Sequence, residues 1–362
     1  MRTTFRTLLV AAATAAVAVA PAVAQAAAAP TAAAPATAFR ANPIPAHVYA
    51  PYVETYNNDD LAALAQSSGA KYESLAFLQT DTAGSCTAYW NGATTTPVAR
   101  STFGAEIAEI QAHGGNVIPS FGGYAADTTN TDIADSCTDV NAIAAVYENV
   151  VTTYHVTRID LDVEADSLNN TAGIERRNEA VAQVERWARV HGKDVQFSYT
   201  IPTAATGLTA TGLAVLQNAK AEHAQVAVVN GMAFDYWIGT QQEMATDTET
   251  AAQGIFTQLQ SLYPGVPARA LWAQIGITEM PGIDDFGADE TFTQADAVTV
   301  VKWAEQHGLG LLTMWALDRD NGSCPGLSGQ GQCSGVAQPA WYFSHTFEPF
   351  TSWTGYYGGH GR

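Results

Sequence analysis

Basic residues are scarce in this chain. Sixteen Lys and Arg stand against 35 Asp and Glu among 362 residues, a net charge of −19. So acidic a surface repels phosphate backbones and anionic lipid, which excludes nucleic acid and membrane surfaces as expected partners. A neutral or weakly cationic polymer remains compatible. Cysteine is limited to four residues, C-x-x-C and H-E-x-x-H spacings are missing, and the eight histidines are scattered. No metal site is therefore expected. G-x-S-x-G is absent, which disfavours a serine hydrolase, and no Gly-rich fingerprint opens the first helix, which disfavours a dinucleotide enzyme. No cofactor is expected.

Long apolar runs are also lacking, except at the N-terminus. Arg2 and Arg6 precede an uncharged apolar stretch over 8–20, and Ala22 and Ala24 form an A-x-A site. This pattern predicts a signal peptide over 1–24 and a secreted protein; the run is shorter than the roughly 20 residues of a membrane span. Residues 25–43, mostly Ala, Pro and Thr, read as a leader or linker. The four cysteines fit an oxidising compartment and allow three pairings. Cys324 and Cys333 flank a short Gly-rich loop, so the expectation is that they pair, leaving Cys86 to pair with Cys137.

Over 44–350, eight apolar or β-branched runs alternate with helical patterns. The predicted strands are 47–55, 72–79, 116–123, 156–164, 195–202, 226–236, 271–278 and 310–317; the clearest helices are 139–154, 171–191, 209–222, 248–262 and 294–306. Such alternation implies a parallel sheet with right-handed crossovers, and eight units favour closure into a single (β/α)8 TIM barrel. No second domain or repeat is visible, a monomer is expected, and 351–362 reads as a Gly- and aromatic-rich tail. Barrels of this kind carry their chemistry at the C-terminal ends of the strands.

The strongest signal stands at such an end. In Ile159-Asp160-Leu161-Asp162-Val163-Glu164 apolar and acidic residues alternate, so on a strand the three acids share one face. A solvated sheet face could read this way. A barrel interior, however, is normally filled by Val, Ile and Leu, and crowded buried carboxylates are tolerated chiefly for function. Glu164, last on the strand, is placed to reach a substrate oxygen as a general acid with a raised pKa. Asp162 lies one step deeper, and Asp160 below it is expected to hold Asp162's proton.

These residues resemble the D-x-x-D-x-D-x-E signature of family 18 glycoside hydrolases, the chitinases and related endoglycosidases. Ser120-Phe121-Gly122-Gly123 is similar to the family's S-x-G-G, Met232-Ala233-Phe234-Asp235-Tyr236 to its M-x-Y-D, and Trp315 stands where the family has a tryptophan flooring the catalytic subsite. The resemblance covers about 44–350. It implies cleavage of β-1,4-linked N-acetylglucosamine polymers, chitin or chito-oligosaccharides, by a substrate-assisted retaining mechanism. Glu164 would be the acid/base, and Asp162 would hold the acetamido N–H. Two positions depart from the pattern. Thr157 replaces the first Asp, and Phe234 replaces the tyrosine, so Tyr236 is the expected substitute hydroxyl. Met232, Asp235, Gly122, Gly123 and Trp315, which the resemblance covers, are substrate-binding candidates, and Tyr52 is another as a stacking aromatic. Trp90, Tyr124, Trp237 and Trp272 are further stacking candidates, while Asp318, Arg319 and Asp320 read as a surface ion cluster. An endo-β-N-acetylglucosaminidase acting on glycoproteins and a chitin-binding lectin remain open; retention of Glu164 favours an enzyme.

Overall fold

The structure is a computed structural model that describes residues 42–329 and 331–354. The signal peptide, nearly all of the leader and the end of the tail lie outside the described residues.

Eight parallel strands form the central sheet: β1 (Val48–Tyr49, continued by Tyr52–Glu54), β2 (Tyr72–Thr80), β3 (Asn116–Gly122), β4 (Arg158–Asp162), β5 (Gln196–Ala204), β6 (Val226–Met232), β7 (Ile275–Glu279) and β8 (Leu311–Met314). β1 closes the barrel. Its first piece pairs with β8 and its second with β2, the partner changing across Ala50-Pro51. Pro51 has no N–H to give a ladder, which accounts for the break. The other neighbours follow chain order, all parallel.

The helices α1 (Leu61–Ser68), α2 (Gly104–Ala112), α3 (Val140–Tyr154), α4 (Thr171–Val190), α5 (Ala210–Ala221), α6 (Met244–Leu262), α7 (Gln294–His307) and α8 (Tyr342–Phe347) cover the outside. Side-chain caps start most of them. Asp60, Asp139, Asn170 and Thr209 each accept a first-turn N–H, and Thr293 with Asp296 forms a capping box. The outward strand residues Ile159, Leu161, Val163, Phe197 and Ile277 pack with the helices in one continuous core. No described helix is long and apolar enough to cross a membrane.

Disulfides join Cys86 to Cys137 and Cys324 to Cys333. The first ties the loop after β2 to a short helix, Ile133–Ser136, that follows β3. Four side chains lie elsewhere than the sequence suggested. Trp272 ends a short helix outside the barrel and stacks on Phe256 at 4.4 Å. Trp90 is buried, its indole N–H donating to the Tyr154 hydroxyl. The expected surface ion cluster is mostly interior: Asp320 is fully buried and accepts from the N–H groups of Phe343 and Ser344, while Arg319 donates to the carbonyls of Pro281 and Ile283. Both clamp the segment after β8 onto the barrel, a tertiary role that local charge pattern does not reveal.

Candidate active site

β4 presents its acids inward. Asp160 is 2% exposed and Asp162 4% exposed, at the register of Ser120 and Gly122 on β3 and of Ser198 and Thr200 on β5. Asp160 accepts four hydroxyl hydrogen bonds: Tyr52 (2.8 Å) and Ser120 (2.7 Å) to Oδ2, Ser198 (2.7 Å) and Thr200 (2.9 Å) to Oδ1. Burial pushes its pKa up, and the four donors pull it back. With both oxygens so occupied, Asp160 has no free position for a proton shared with Asp162, which corrects the expectation above. It is the anchor of a hydroxyl ring, and Tyr52, expected to touch substrate, spends its hydroxyl there.

Asp162 stands above this ring. Its Oδ1 is buried with no hydrogen-bond partner. Burial first, then the charges of Glu164, Asp160, Asp127 and Asp132, hold its pKa well above the usual carboxylate range. Glu164 follows at the lip, half-buried, its pKa pushed up to about 7 by burial and partly offset by the Tyr124 N–H. Its own backbone N–H donates to Asp127 Oδ2 at 2.5 Å. Asp127 lies on the short helix Tyr124–Thr129 after β3 and is 2% exposed. Burial and nearby Asp132 push its pKa to about 9, against the pull of Arg177, which pairs with Asp132 at 2.8 Å beneath it.

The cleft above these acids encloses about 500 Å³ and is lined by Asp162, Glu164, Met232, Phe234, Asp235, Trp315, Tyr52, Phe77, Tyr124, Thr200, Thr278 and Phe286, among others. Trp315 is stacked on Phe77, with ring centroids 5.5 Å apart and planes 14° apart. Asp235 has a pKa pushed to about 7, by burial first and then by the Asp285 charge. The acids, Met232, Asp235, Tyr52 and Trp315 thus meet in one cleft. Three candidates do not join them. Gly122 and Gly123 do not line it: a Cβ on Gly122 would sit 2.1 Å from the Asp162 carbonyl, and one on Gly123 2.7 Å from the Phe77 ring. Their small size serves strand and ring packing. Tyr236 is also elsewhere. Its ring packs against the outer core and its hydroxyl is buried beside Thr203, so no hydroxyl to replace the one missing at Phe234 reaches the cleft from that position.

No protein-family model matches the chain. A probable bifunctional chitinase/lysozyme from Escherichia coli (strain K12) is 33% identical over 318 residues, 85% of this chain and 35% of the relative. Endochitinase 11 of Metarhizium anisopliae is 32% identical over 288 residues, 76% of this chain and 53% of the relative. The chain thus spans about a third to a half of the length of these two proteins. The crystal structure of the catalytic domain of a hyperthermophilic chitinase from Pyrococcus furiosus matches with a TM-score of 0.76 at 30% identity, covering 86% of this chain and 97% of that domain. The chain belongs to glycoside hydrolase family 18, the chitinase family. Within this family-18 barrel, sequence reasoning missed Phe77, Asp127, Asp285 and Phe286. Phe77 lies within a predicted strand and carries no local mark of its own. The Asp284-Asp285-Phe286-Gly287 turn is legible as a hairpin tip, since Asp and Gly favour turns; what it packs against is not.

Proposed function

We propose that this protein hydrolyses β-1,4-linked N-acetylglucosamine polymers, chitin or chito-oligosaccharides, with Glu164 as acid/base and the substrate's own acetamido group as nucleophile. The observation that carries this reading is the unpartnered, buried Oδ1 of Asp162 beneath Glu164. A buried acceptor without a donor costs about 1–3 kcal/mol, which a substrate N–H at that spot would relieve. Asp162 lies about 6.6 Å deeper along the strand than Glu164, by the strand repeat, and holds and orients rather than attacks. Glu164, protonated near neutrality, donates its proton to the glycosidic oxygen as the C1–O bond breaks. The acetamido oxygen bonds to C1, giving an oxazolinium whose N–H faces Asp162. Water then attacks C1 as the bond from C1 to the acetamido oxygen breaks, Glu164 takes the water's proton, and the anomeric configuration is retained. Trp315 and Phe77 supply the apolar floor for the distorted sugar.

In this reading the protein is secreted and acts as a monomer; the two disulfides support an oxidising compartment. The test is product analysis by NMR on chitohexaose, cellohexaose and a high-mannose glycopeptide. Cleavage of chitohexaose alone, with the β-anomer appearing first, is expected. Efficient cleavage of cellohexaose, or an initial α-anomer, would defeat the substrate-assisted route; preference for the glycopeptide would make the protein an endo-β-N-acetylglucosaminidase.

A further inference from the structure

The sheet runs out at Glu164. Between β3 and β4 the last parallel rung is the Gly123 N–H on the Asp162 carbonyl, at 3.2 Å. By the repeat of a parallel ladder, the next rung would run from the Glu164 N–H to the Gly123 carbonyl. That carbonyl is engaged elsewhere. Gly123 turns away from the strand with φ of +83°, and its oxygen accepts the Asp127 N–H at 3.0 Å where the short helix Tyr124–Thr129 begins. The Asp127 side chain makes up the missing rung, its Oδ2 accepting the Glu164 N–H at 2.5 Å. An acid in a helix's first turn usually serves that helix's own N–H groups and faces water. Asp127 is 2% exposed and faces β4 instead.

The chain beyond Glu164 needs such a hold. Ala165 has φ of +38°, a region that residues other than glycine rarely adopt and that persists where the surroundings impose it. Asp135, from the same excursion after β3, grips the segment a second time. It accepts the Ser167 hydroxyl, and the Asn170 side-chain amide at 3.0 Å. Arg177 of α4 is fully buried beneath these acids, 2.8 Å from Asp132 and 3.8 Å from Asp135. The polar groups that face Asp127 are thus Asp162 and the Glu164 N–H from the strand, Asp132 from its own excursion, and Ser167 and Arg177 from the segment that follows.

We propose that Asp127 is a positioning residue for Glu164: by completing the ladder with its own oxygen it fixes the backbone at the lip, and so fixes where the Glu164 carboxyl meets the glycosidic oxygen. Arg177, through Asp132, fixes Asp127 in turn. This rests on the acid/base reading of Glu164 given above. A shift of about 1 Å in a catalytic group can cost about a hundredfold in rate. Contacts that other residues make with the substrate are untouched, so the loss falls on kcat and spares KM.

The test compares Asp127→Ala, which removes the acceptor, with Asp127→Asn, which keeps an oxygen in its place and is equally uncharged. In Asp127→Ala, kcat on chitohexaose should fall about 10- to 100-fold with KM within about twofold. Asp127→Asn should recover most of that loss, to within about threefold of wild type. A second readout needs no turnover: the titration of the Glu164 carboxyl, followed by carbon-13 NMR of glutamate-labelled protein and assigned by its loss in Glu164→Gln. Burial holds that titration at about 7. A carboxyl freed from its place should titrate lower in Asp127→Ala, toward the ordinary carboxylate range, and Asp127→Asn should leave it where it is. Wild-type kcat with an unmoved titration in Asp127→Ala would overturn the proposal. So would an Asp127→Asn protein as impaired as the alanine variant, since charge or a proton would then matter rather than the acceptor oxygen. If the alanine variant does not fold, Asp127→Leu keeps the bulk without the acceptor and carries the same expectations. Failure of both to fold would make Asp127 a determinant of the fold and end the proposal. If the wild type cleaves no chitohexaose, the hydrolytic reading fails, and the titration alone decides the positioning.

Discussion

At the N-terminal end of the barrel the inward side chains Ile44, Val48, Tyr72, Ile118, Val228 and Leu311 form an apolar plug. Two residues further along the same strands the filling changes: Ile118 gives way to Ser120 and Val228 to Asn230, level with the carboxylates of β4. The plug is apolar, as a barrel interior normally is. The mouth is a ring of hydroxyls around Asp160, then Asp162 with an unpartnered oxygen, then Glu164 at the lip. The same strands therefore divide their length between an apolar floor and a polar mouth that carries the carboxylates. Substitutions should separate the two. At the floor they should cost stability and spare the reaction; at the mouth they should do the reverse.

The largest effect belongs to the lip. Glu164→Gln keeps the volume and removes the proton donor, so kcat for chitohexaose should fall by about 10²–10⁴-fold, the range for a general acid, with the melting temperature unchanged or raised. In the wild type, kcat/KM should fall as pH rises through about 7, because Glu164 must begin protonated. A variant keeping a tenth of wild-type kcat would move the role elsewhere. At the floor, Ile118→Ala should cost about 2–5 kcal/mol in urea unfolding while kcat stays within about twofold. A large loss of kcat there would join floor and mouth into one unit and break the comparison.

The mouth should also have its own signature in the pH dependence of stability. Asp127 is pushed to about 9, and Glu164, Asp235 and Asp284 to about 7. In each case the folded state holds the proton more tightly than the unfolded chain, whose carboxyls titrate near 4. Their stabilising contribution is therefore complete below about pH 4 and is lost as pH rises through 7 toward 9. The melting temperature should drop by roughly 5 °C or more between pH 5 and pH 9. Asp127→Asn removes the group pushed to about 9, so the decline between pH 7 and 9 should flatten. An unchanged slope would mean that Asp127 is ionised throughout.

The β4 face was legible in the sequence because a strand's period of two is strict: Ile159, Leu161 and Val163 on one side imply the opposite side for the acids. The eight-unit alternation was legible for the same reason, although the expected strands over 156–164 and 226–236 ran past the paired residues Arg158–Asp162 and Val226–Met232. What escaped came from long-range packing. Asp127 matters because a short helix after β3 turns it under the Glu164 N–H, and Asp284 and Glu290 matter because a hairpin folds back onto a loop some 50 residues earlier. No local pattern encodes such meetings. Arg319 and Asp320 misled in the opposite direction, since adjacent charges usually face water and these two are interior.

The smallest expected effect tests where the mouth ends. Period two along β6 puts Tyr236 on the face of Phe234, and a strand continuing to residue 236 would have brought its hydroxyl to the sugar. β6 stops at Met232, and the backbone turns at Asp235 under the grip of Asp284. The Tyr236 ring therefore swings out toward the core, where its hydroxyl is buried beside Thr203 and held well above its usual pKa by burial and by Glu279. Tyr236→Phe removes a buried hydroxyl that makes no well-formed hydrogen bond, so kcat and KM for chitohexaose should change by less than about twofold, and stability should hold or rise by about 1 kcal/mol. A loss of kcat of tenfold or more would place the hydroxyl in the reaction after all, and would mean that the loop unclips from Asp284 and Glu290 when substrate binds.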